Sequence, residues 1–430
     1  MKVMLTCFAA PTHFHVMVPM AWALRTAGHE VRVVGQPDLL DAVTGSGLTA
    51  VPAGRSDWAA TDPWAPELLA MVQQVGAEQV RGFDFTGADR TQWTWENLLS
   101  LENVMVAALY ATMNSESMIE DAVAFADRWR PDLVIHETYT FAGAIAARAC
   151  GAAHARMVWG PDVALRVRKA FLAAARAQPP EHREDPTAEW LDRVLSRYGC
   201  SFDEQVLTGQ WTIDSTPPSA RLDLGLRTTG IRYVPYNGPS VVPEMLRERP
   251  ERPRVCLTFG TTERRTGRSV AALAEMLDAV AGIDAEFVAT LDATQLSHVG
   301  PVPDNVRVVD FVPLNDLLPT CSAIVHQAGA GTRATAELHG VPQLVLTDGW
   351  DSEVKAEHLV RVRAGLSLSM AELTAPALRQ CIERLLSDPA LRAGARGLRR
   401  EVLAEPSPNQ VVPLIEQLTA EHRTPTTRAA

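Results

Sequence analysis

The chain has 430 residues, more than one ordinary hydrophobic core serves, so two domains are expected. Hydrophobic residues make up 47% and charged residues 21%, the balance of a globular chain rather than a disordered one. A formal net charge of -11 argues against a general electrostatic grip on nucleic acid or on a membrane surface.

In chain order, KVMLTCF (2–8) reads as a buried strand and VMVPMAWALRTAG (16–28) as a helix closed by Gly28. EVRVVG (30–35) is a second strand, followed by the helical DLLDAVTGSG and by TAVPAG. Residues 60–128 read as mostly helical and rich in Trp, Met and acids. PDLVIHE (131–137) is a strand, FAGAIAARACG a helix and HARMVW a strand. The middle, 163–250, is less regular: RVRKAFLAAARAQ is amphipathic, QPPEHREDP is a polar break, and YNGPSVVPEMLRERPERPR (236–254) has the Pro, Gly and charge of a linker. Alternation restarts at RVCLTFG (254–260) and continues through SVAALAEMLDAVAG, AEFVATL, NVRVVDFVP, AIVHQAG, TRATAELHG and PQLVLTD. Short apolar strands alternating with helices imply parallel, doubly wound sheets. The expected architecture is α/β: two Rossmann-like parallel-sheet domains facing across a cleft. The N-terminal domain spans 1–235, a linker 236–253 and the C-terminal domain 254–408. The segment 409–430 holds a last helix crossing back to the first domain, and a tail.

Six cysteines lack any CxxC spacing, which fits free thiols in a reducing cytoplasm rather than disulfides or zinc. No signal peptide and no membrane span are expected. No D-x-D occurs and no His/Cys/Glu cluster has ligand spacing, so a metal site is not expected.

Ligands of such sheets bind beyond the carboxyl ends of the strands, so the loops there are where chemistry is sought. HQAGAGT (326–332) joins a strand to a helix through small residues that let a ligand approach the backbone. Two readings stay open: a capped turn, or a phosphate cradle made by the helix N-terminus with His326 donating to an oxygen and Thr332 capping or binding the anion. On the same rim lie Gly260, Thr261 and Thr262, then Phe311 or Val312 for a flat base, then Asp348 and Asp351 for sugar hydroxyls. In the first half, AAPTHFHV follows the first strand and contains no glycine, against a dinucleotide fingerprint. His13, in the loop before the first helix, suits a general base, with Glu137 ending another strand of that rim to orient it; the alternative is polar surface. His15 and His136 read as structural.

A histidine after the first strand, an H-x-x-G-x-G-T turn in the second half and an acid beyond the next strand resemble the two-domain GT-B glycosyltransferases, family 1, of natural-product biosynthesis. VPMAWALRTAGHEVRVV, RPDLVIHETYTFAGAIAARACGAAHAR, YNGPSVVPE and HGVPQLVL, with shorter matches across nearly the whole chain, are similar to the subgroup that adds deoxyamino sugars to macrolides and anthracyclines. The resemblance implies an inverting, metal-independent transfer from a dTDP-deoxysugar co-substrate, with no cofactor, to a hydroxyl of a polyketide aglycone. It implies His13 as base and Glu137 as its acid. It places the donor on Thr261, Thr262, Phe311, Val312, His326, Gly329, Gly331, Thr332, Asp351 and Ser352. The acceptor pocket is assigned to Trp58, Trp64, Tyr139, Phe141 and Trp159. It also implies a haem-free, cytochrome-like helper protein on the N-terminal domain, for which Trp93, Trp95, Leu98 and Leu99 offer a surface, and so a hetero-oligomer or a homodimer. The chain departs from the pattern at Gln327 and Ala328, where a second histidine and a glycine are usual; the Ala328 methyl is tolerable only if φ there is not positive. A nucleotide-sugar epimerase of the same fold, or a silent activator of another transferase, are the other readings.

Overall fold

A computed structural model describes residues 1–56, 74–258 except 75, 77 and 81, 270–297 and 301–423. The chain divides into two compact units: Met1–Ser215 with Leu222–Ile231 and Pro406–Ala430, and Thr216–Arg221 with Arg232–Glu405. Among the described residues no helix is long and apolar enough to cross a membrane.

The first unit holds a seven-stranded sheet of β1 (Lys2–Thr6), β2 (Glu30–Gly35), β3 (Ala50–Pro52), β4 (Leu133–Glu137), β5 (Ala153–Val158), β6 (Trp211–Asp214) and β7 (Thr228–Gly230). The order is β3-β2-β1-β4-β5-β6-β7, and every pairing is parallel. β4 and β5 are buried along their whole length, as the two covered faces of a parallel sheet require. β6 and β7 have four and three residues, too short for a periodic signal, and lie in the stretch whose sequence looks irregular. Helix Phe141–Cys150 is alanine-rich and packs among Val134, Ile119 and Leu191, ending at Gly151 with φ 76°. The last helix, Pro408–His422, opens with a capping box made by Ser407 and Gln410. It belongs to the first unit: Glu416 pairs with His29 at 2.8 Å and the His422 ring stacks on Trp211.

The second unit holds a six-stranded parallel sheet of β8 (Arg254–Thr258), β9 (Glu286–Thr290), β10 (Val306–Val309), β11 (Ala323–His326), β12 (Gln343–Thr347) and β13 (Gly365–Ser369), in the order β10-β9-β8-β11-β12-β13. Its core joins Val255, Leu257, Phe287, Val325, Leu344 and Ile382. A buried side chain of this kind contributes about 1.5–3 kcal/mol by leaving water.

Each sheet reverses its winding between the first strand and the fourth. β1 and β2 run outward to one edge, and β4 starts the run to the other; β8 and β11 repeat this. The two loops at such a reversal point turn apart and leave a crevice at the carboxyl ends of the strands. In the first unit His13 stands just past the loop after β1, in the first turn of the next helix, and Glu137 ends β4. In the second the loop after β11 carries HQAGAGT.

Candidate active site

The sequence puts His13 in the loop before the first helix; the structure places it in the first turn of helix Pro11–Thr26. Pro11 starts the helix early because its fixed φ is already helical and it has no N–H to leave unpaired. His13 Nδ1 lies 3.0 Å from Oε1 of Glu137, the last residue of β4. The His13 side chain is 26% exposed and that of Glu137 0%. Glu137 Oε2 accepts the Tyr139 N–H at 2.9 Å and the Thr140 hydroxyl at 2.8 Å. The hydrogen of that hydroxyl is directed at Glu137 because the Thr140 oxygen itself accepts the Phe8 N–H at 3.0 Å. Oε2 therefore accepts twice, which leaves Oε1 to face His13. With Glu137 as a carboxylate, which can only accept, a neutral His13 ring carries its proton on Nδ1 and keeps the lone pair on Nε2. Packing holds the ring edge-on to Phe8 at 4.9 Å and to Trp159 at 4.7 Å. One nitrogen of this histidine is fixed by a buried acid, and among the described residues the other takes no hydrogen-bond partner.

Supporting residues were not legible in the sequence. Buried Asn114 donates to the Tyr139 carbonyl at 2.8 Å and accepts the Ala142 N–H at 2.9 Å, which fixes the loop after Glu137. Buried Gln36 accepts the Ala9 N–H at 2.6 Å and does the same for the loop after β1. Neither residue belongs to a motif; only the fold brings them there. His136, on the opposite face of β4, is fully buried, and burial holds its pKa well below the usual range. His15 is half-buried, and burial lowers its pKa.

Of the acceptor residues, Trp159 lies against His13, and the Tyr139 ring lies 6.4 Å from that of Trp159. Phe141 does not join them. It is buried in the core with Ile145 and Ala142, because it opens the helix that packs under β4. Tyr110, stacked on Tyr139 at 6.1 Å from a π-helical segment Met105–Tyr110, is an aromatic neighbour with no sequence signal. Trp58 and Trp64 lie outside the described residues. Of the residues offered for a helper surface, Leu98 is buried, Trp95 stacks on Phe171 at 5.4 Å and Trp93 packs on Phe83 at 5.4 Å, while Trp93, Trp95 and Leu99 each stay partly exposed.

In the second unit, helix Ala330–His339 begins at Gly329, and among the described residues no side chain caps it. Its first-turn N–H groups have no partner within the helix and sit at the positive end of the dipole, the arrangement that receives an anion. A Cβ at Gly329 would meet only the Thr332 hydroxyl, at 3.7 Å, so glycine and threonine form an open cradle. A Cβ at Gly331 would crowd the Tyr233 hydroxyl at 3.3 Å.

His326 departs from the expected role. Its ring is buried, Nδ1 accepts the Ala328 N–H at 3.0 Å and Nε2 lies 2.8 Å from Gln343 Oε1. Burial lowers its pKa to about 4. As placed, both ring nitrogens fold the turn and none reaches toward a phosphate. Ala328 has φ +57°, the region in which its methyl was expected to be intolerable. The methyl is accommodated by packing among Val345, Ala356, Leu359 and Leu398. The left-handed conformation still costs a residue with a Cβ about 1–2 kcal/mol.

Phe311, just past β10, is 51% exposed and offers a flat face, whereas the Val312 side chain is buried in the core with Leu317 and Ile324. Only the Val312 backbone remains for a ligand. Asp351 precedes helix Ser352–Arg361 and its side chain is 25% exposed. The Ser352 hydroxyl is turned inward: it donates to the Gly349 carbonyl at 2.6 Å and accepts the Asp348 N–H at 3.1 Å, so it shapes the loop instead of facing a sugar. That loop includes Trp350 at φ +54°, a strained conformation for a bulky residue. Thr261 and Thr262 lie outside the described residues. Among the described residues no group of three or more His, Cys, Asp or Glu is placed to hold a metal ion.

Two family models match the chain: the N-terminal domain of erythromycin biosynthesis protein CIII-like proteins over residues 22–260, and their C-terminal domain over 274–418. The chain belongs to this family. It is similar to the 3-alpha-mycarosylerythronolide B desosaminyl transferase of Saccharopolyspora erythraea, 49% identical over 99% of this chain and 100% of the relative. It is 46% identical to the aklavinone 7-beta-L-rhodosaminyltransferase of Streptomyces galilaeus over 98% of this chain and 97% of the relative. Among solved structures, the glycosyltransferase VinC in complex with dTDP superposes with a TM-score of 0.86 at 38% identity, covering 98% of this chain and 100% of VinC. The protein is a glycosyltransferase of the GT-B class, and these relatives lend no support to the epimerase or silent-activator readings.

Proposed function

We propose that this transferase moves a deoxyamino sugar from a dTDP-sugar to a hydroxyl of a polyketide aglycone, macrolide or anthracycline, with inversion and without a metal ion. The single observation that carries the reading is the His13–Glu137 pair, with Nε2 unpartnered among the described residues and the ring edge-on to Trp159. Nε2 takes the proton of the acceptor hydroxyl as its oxygen attacks the anomeric carbon. The bond from that carbon to the β-phosphate oxygen breaks, and dTDP leaves with the bond's electron pair. The charge arriving on the leaving group is met by the uncapped N–H groups around Gly329, Gly331 and Thr332. Phe311 stacks on the thymine, and Asp351 accepts from sugar hydroxyls. The named relatives, a desosaminyl and a rhodosaminyl transferase, support an amino sugar as donor and an aglycone as acceptor.

The test is a mass-spectrometric screen of dTDP-amino sugars against macrolide and anthracycline aglycones, with and without a haem-free cytochrome-like helper. The expected product carries the added mass of one sugar, and dTDP is released in equal amount. His13→Ala should lower kcat by at least about 10², the usual contribution of a general base. No transfer to any aglycone with helper present, or an unchanged rate in His13→Ala, overturns the proposal.

A further inference from the structure

Lys355 lies in the first turns of helix Ser352–Arg361 and is 4% exposed. A lysine ammonium is rarely enclosed to this degree unless its hydrogens are taken. Its Nζ donates to the carbonyl of Ala328 at 3.0 Å and pairs with Asp351 Oδ2 at 2.6 Å. These partners come from different loops. Ala328 is the left-handed residue of the turn that delivers the open helix N-terminus after β11; Asp351 stands beyond β12, one helical turn before Lys355 itself. Burial pushes the Lys355 pKa down, and the Asp351 carboxylate opposes that shift.

The consequences are geometric and electrostatic. The carbonyl bond holds Ala328 in a conformation its methyl disfavours, and so holds the turn. The ion pair turns one oxygen of Asp351 inward; among the described residues the other takes no partner. The same pair neutralises a carboxylate that would otherwise stand as a bare negative charge in the unit that receives an anionic diphosphate.

We propose that Lys355 is a positioning residue for the donor: one buried ammonium ties the diphosphate turn to the sugar-facing carboxylate, fixing the two halves of the donor site against each other. This rests on the reading above that the turn holds the diphosphate and Asp351 the sugar.

The experiment compares the full chain with Lys355→Met, Asp351→Asn and the double variant. It measures donor KM and kcat, the Kd for dTDP, and the melting temperature. The expected result is a donor KM raised about tenfold or more in Lys355→Met, the usual worth of a hydrogen bond to a charged group. kcat should change less, and dTDP, which has no sugar, should also bind more weakly because the turn has lost its anchor. The losses should not add: the double variant should have a donor KM close to that of the worse single variant, because Lys355 acts through Asp351. A folded Lys355→Met with donor KM within twofold of the parent refutes the proposal. So do additive losses, which mark two independent contributions; a merely structural lysine would lower the melting temperature and leave donor KM unchanged. If Lys355→Met does not fold, Lys355→Gln keeps a donor for the Ala328 carbonyl without the charge, and the same two criteria decide. If the parent protein neither binds dTDP nor transfers sugar, the functional reading has failed; if it does both and the Lys355 variants match it, only this inference has failed.

Discussion

Glu137→Gln separates a positioned base from a merely polar histidine, and the structure dictates its outcome. The Oε2 side of Glu137 faces two donors, the Tyr139 N–H at 2.9 Å and the Thr140 hydroxyl at 2.8 Å, and the Thr140 hydrogen is already directed there by the Phe8 N–H. A glutamine amide placed here must give its oxygen to those donors, because an NH2 in that position would face two hydrogens. Its NH2 then faces His13 Nδ1 across the 3.0 Å contact. An NH2 only donates, so Nδ1 must present its lone pair and the ring proton moves to Nε2. The base is then blocked by its own tautomer, with the ring, the loop and the aromatic neighbours unmoved. The loss is that of the general base, about 10²–10⁴ in kcat. Donor KM and the melting temperature should stay close to the parent values, since both internal hydrogen bonds survive. The assay is steady-state transfer with the Glu137→Gln, His13→Ala and double variants. Because the two residues act as one unit, the double variant should be about as slow as His13→Ala alone. A Glu137→Gln enzyme within fivefold of the parent kcat, or a double variant slowed by the product of the single losses, would show that Glu137 does not set the tautomer of His13.

Phe311→Ala removes an exposed ring with no place in the core, so stability should hold while dTDP affinity falls by about 1–3 kcal/mol, the worth of one base–aromatic stack; calorimetry showing unchanged affinity rejects the stacking role. Ala328→Gly relieves about 1–2 kcal/mol of left-handed strain but loses a buried methyl worth about 0.8 kcal/mol and adds about 0.4–1 kcal/mol of unfolded-state freedom. The melting temperature should therefore move by less than about 4 °C, and a rise well beyond that would mean the methyl contributes nothing. His326, with its pKa lowered by burial to about 4 from 6.5, stays neutral in the fold while the unfolded chain takes up a proton below pH 6.5. Its contribution to stability is complete above pH 6.5 and is lost as pH falls toward 4, at up to about 1.4 kcal/mol per pH unit. His326→Asn keeps an acceptor for the Ala328 N–H and should flatten denaturation free energy between pH 6.5 and 5 by about one proton; an unchanged slope rejects the assignment.

The fold was legible because its signal is repetitive. Runs such as LVIHE and AIVH announce buried parallel strands, and their alternation with helices announces a doubly wound sheet. What escaped were the shortest strands, such as Thr228–Gly230, where three residues carry no period. The candidate site was legible to the extent that it lies at strand ends: His13, Glu137, Gly329 and Asp351 are each proposed from position and residue type, and the structure pairs the first two. Side-chain direction was not legible. Phe141, Val312, Ser352 and the ring of His326 sit one residue or one rotation from a ligand-facing place and turn inward, because each is consumed by packing or by hydrogen bonds that form only in the folded unit. Lys355 was within reach, since Asp351 and Lys355 stand at i and i+4, but such pairs are common on solvated helix faces and only burial singles this one out.

The two units share a winding, yet their reversal points suit opposite tasks, and the difference lies in how the following helix begins. In the first unit the helix after β1 opens with Pro11, which has no N–H, and the N–H of His13 is already bonded to the Ala10 carbonyl at 3.0 Å. Little remains there to receive an anion. The crevice instead presents a side chain, and the neighbouring strand end supplies the acid that fixes it. In the second unit the helix after β11 opens with Gly329, Ala330 and Gly331, whose N–H groups are present and uncapped, while the one histidine nearby is folded into the turn. The first reversal point thus presents a positioned side chain, and the second presents open backbone N–H groups.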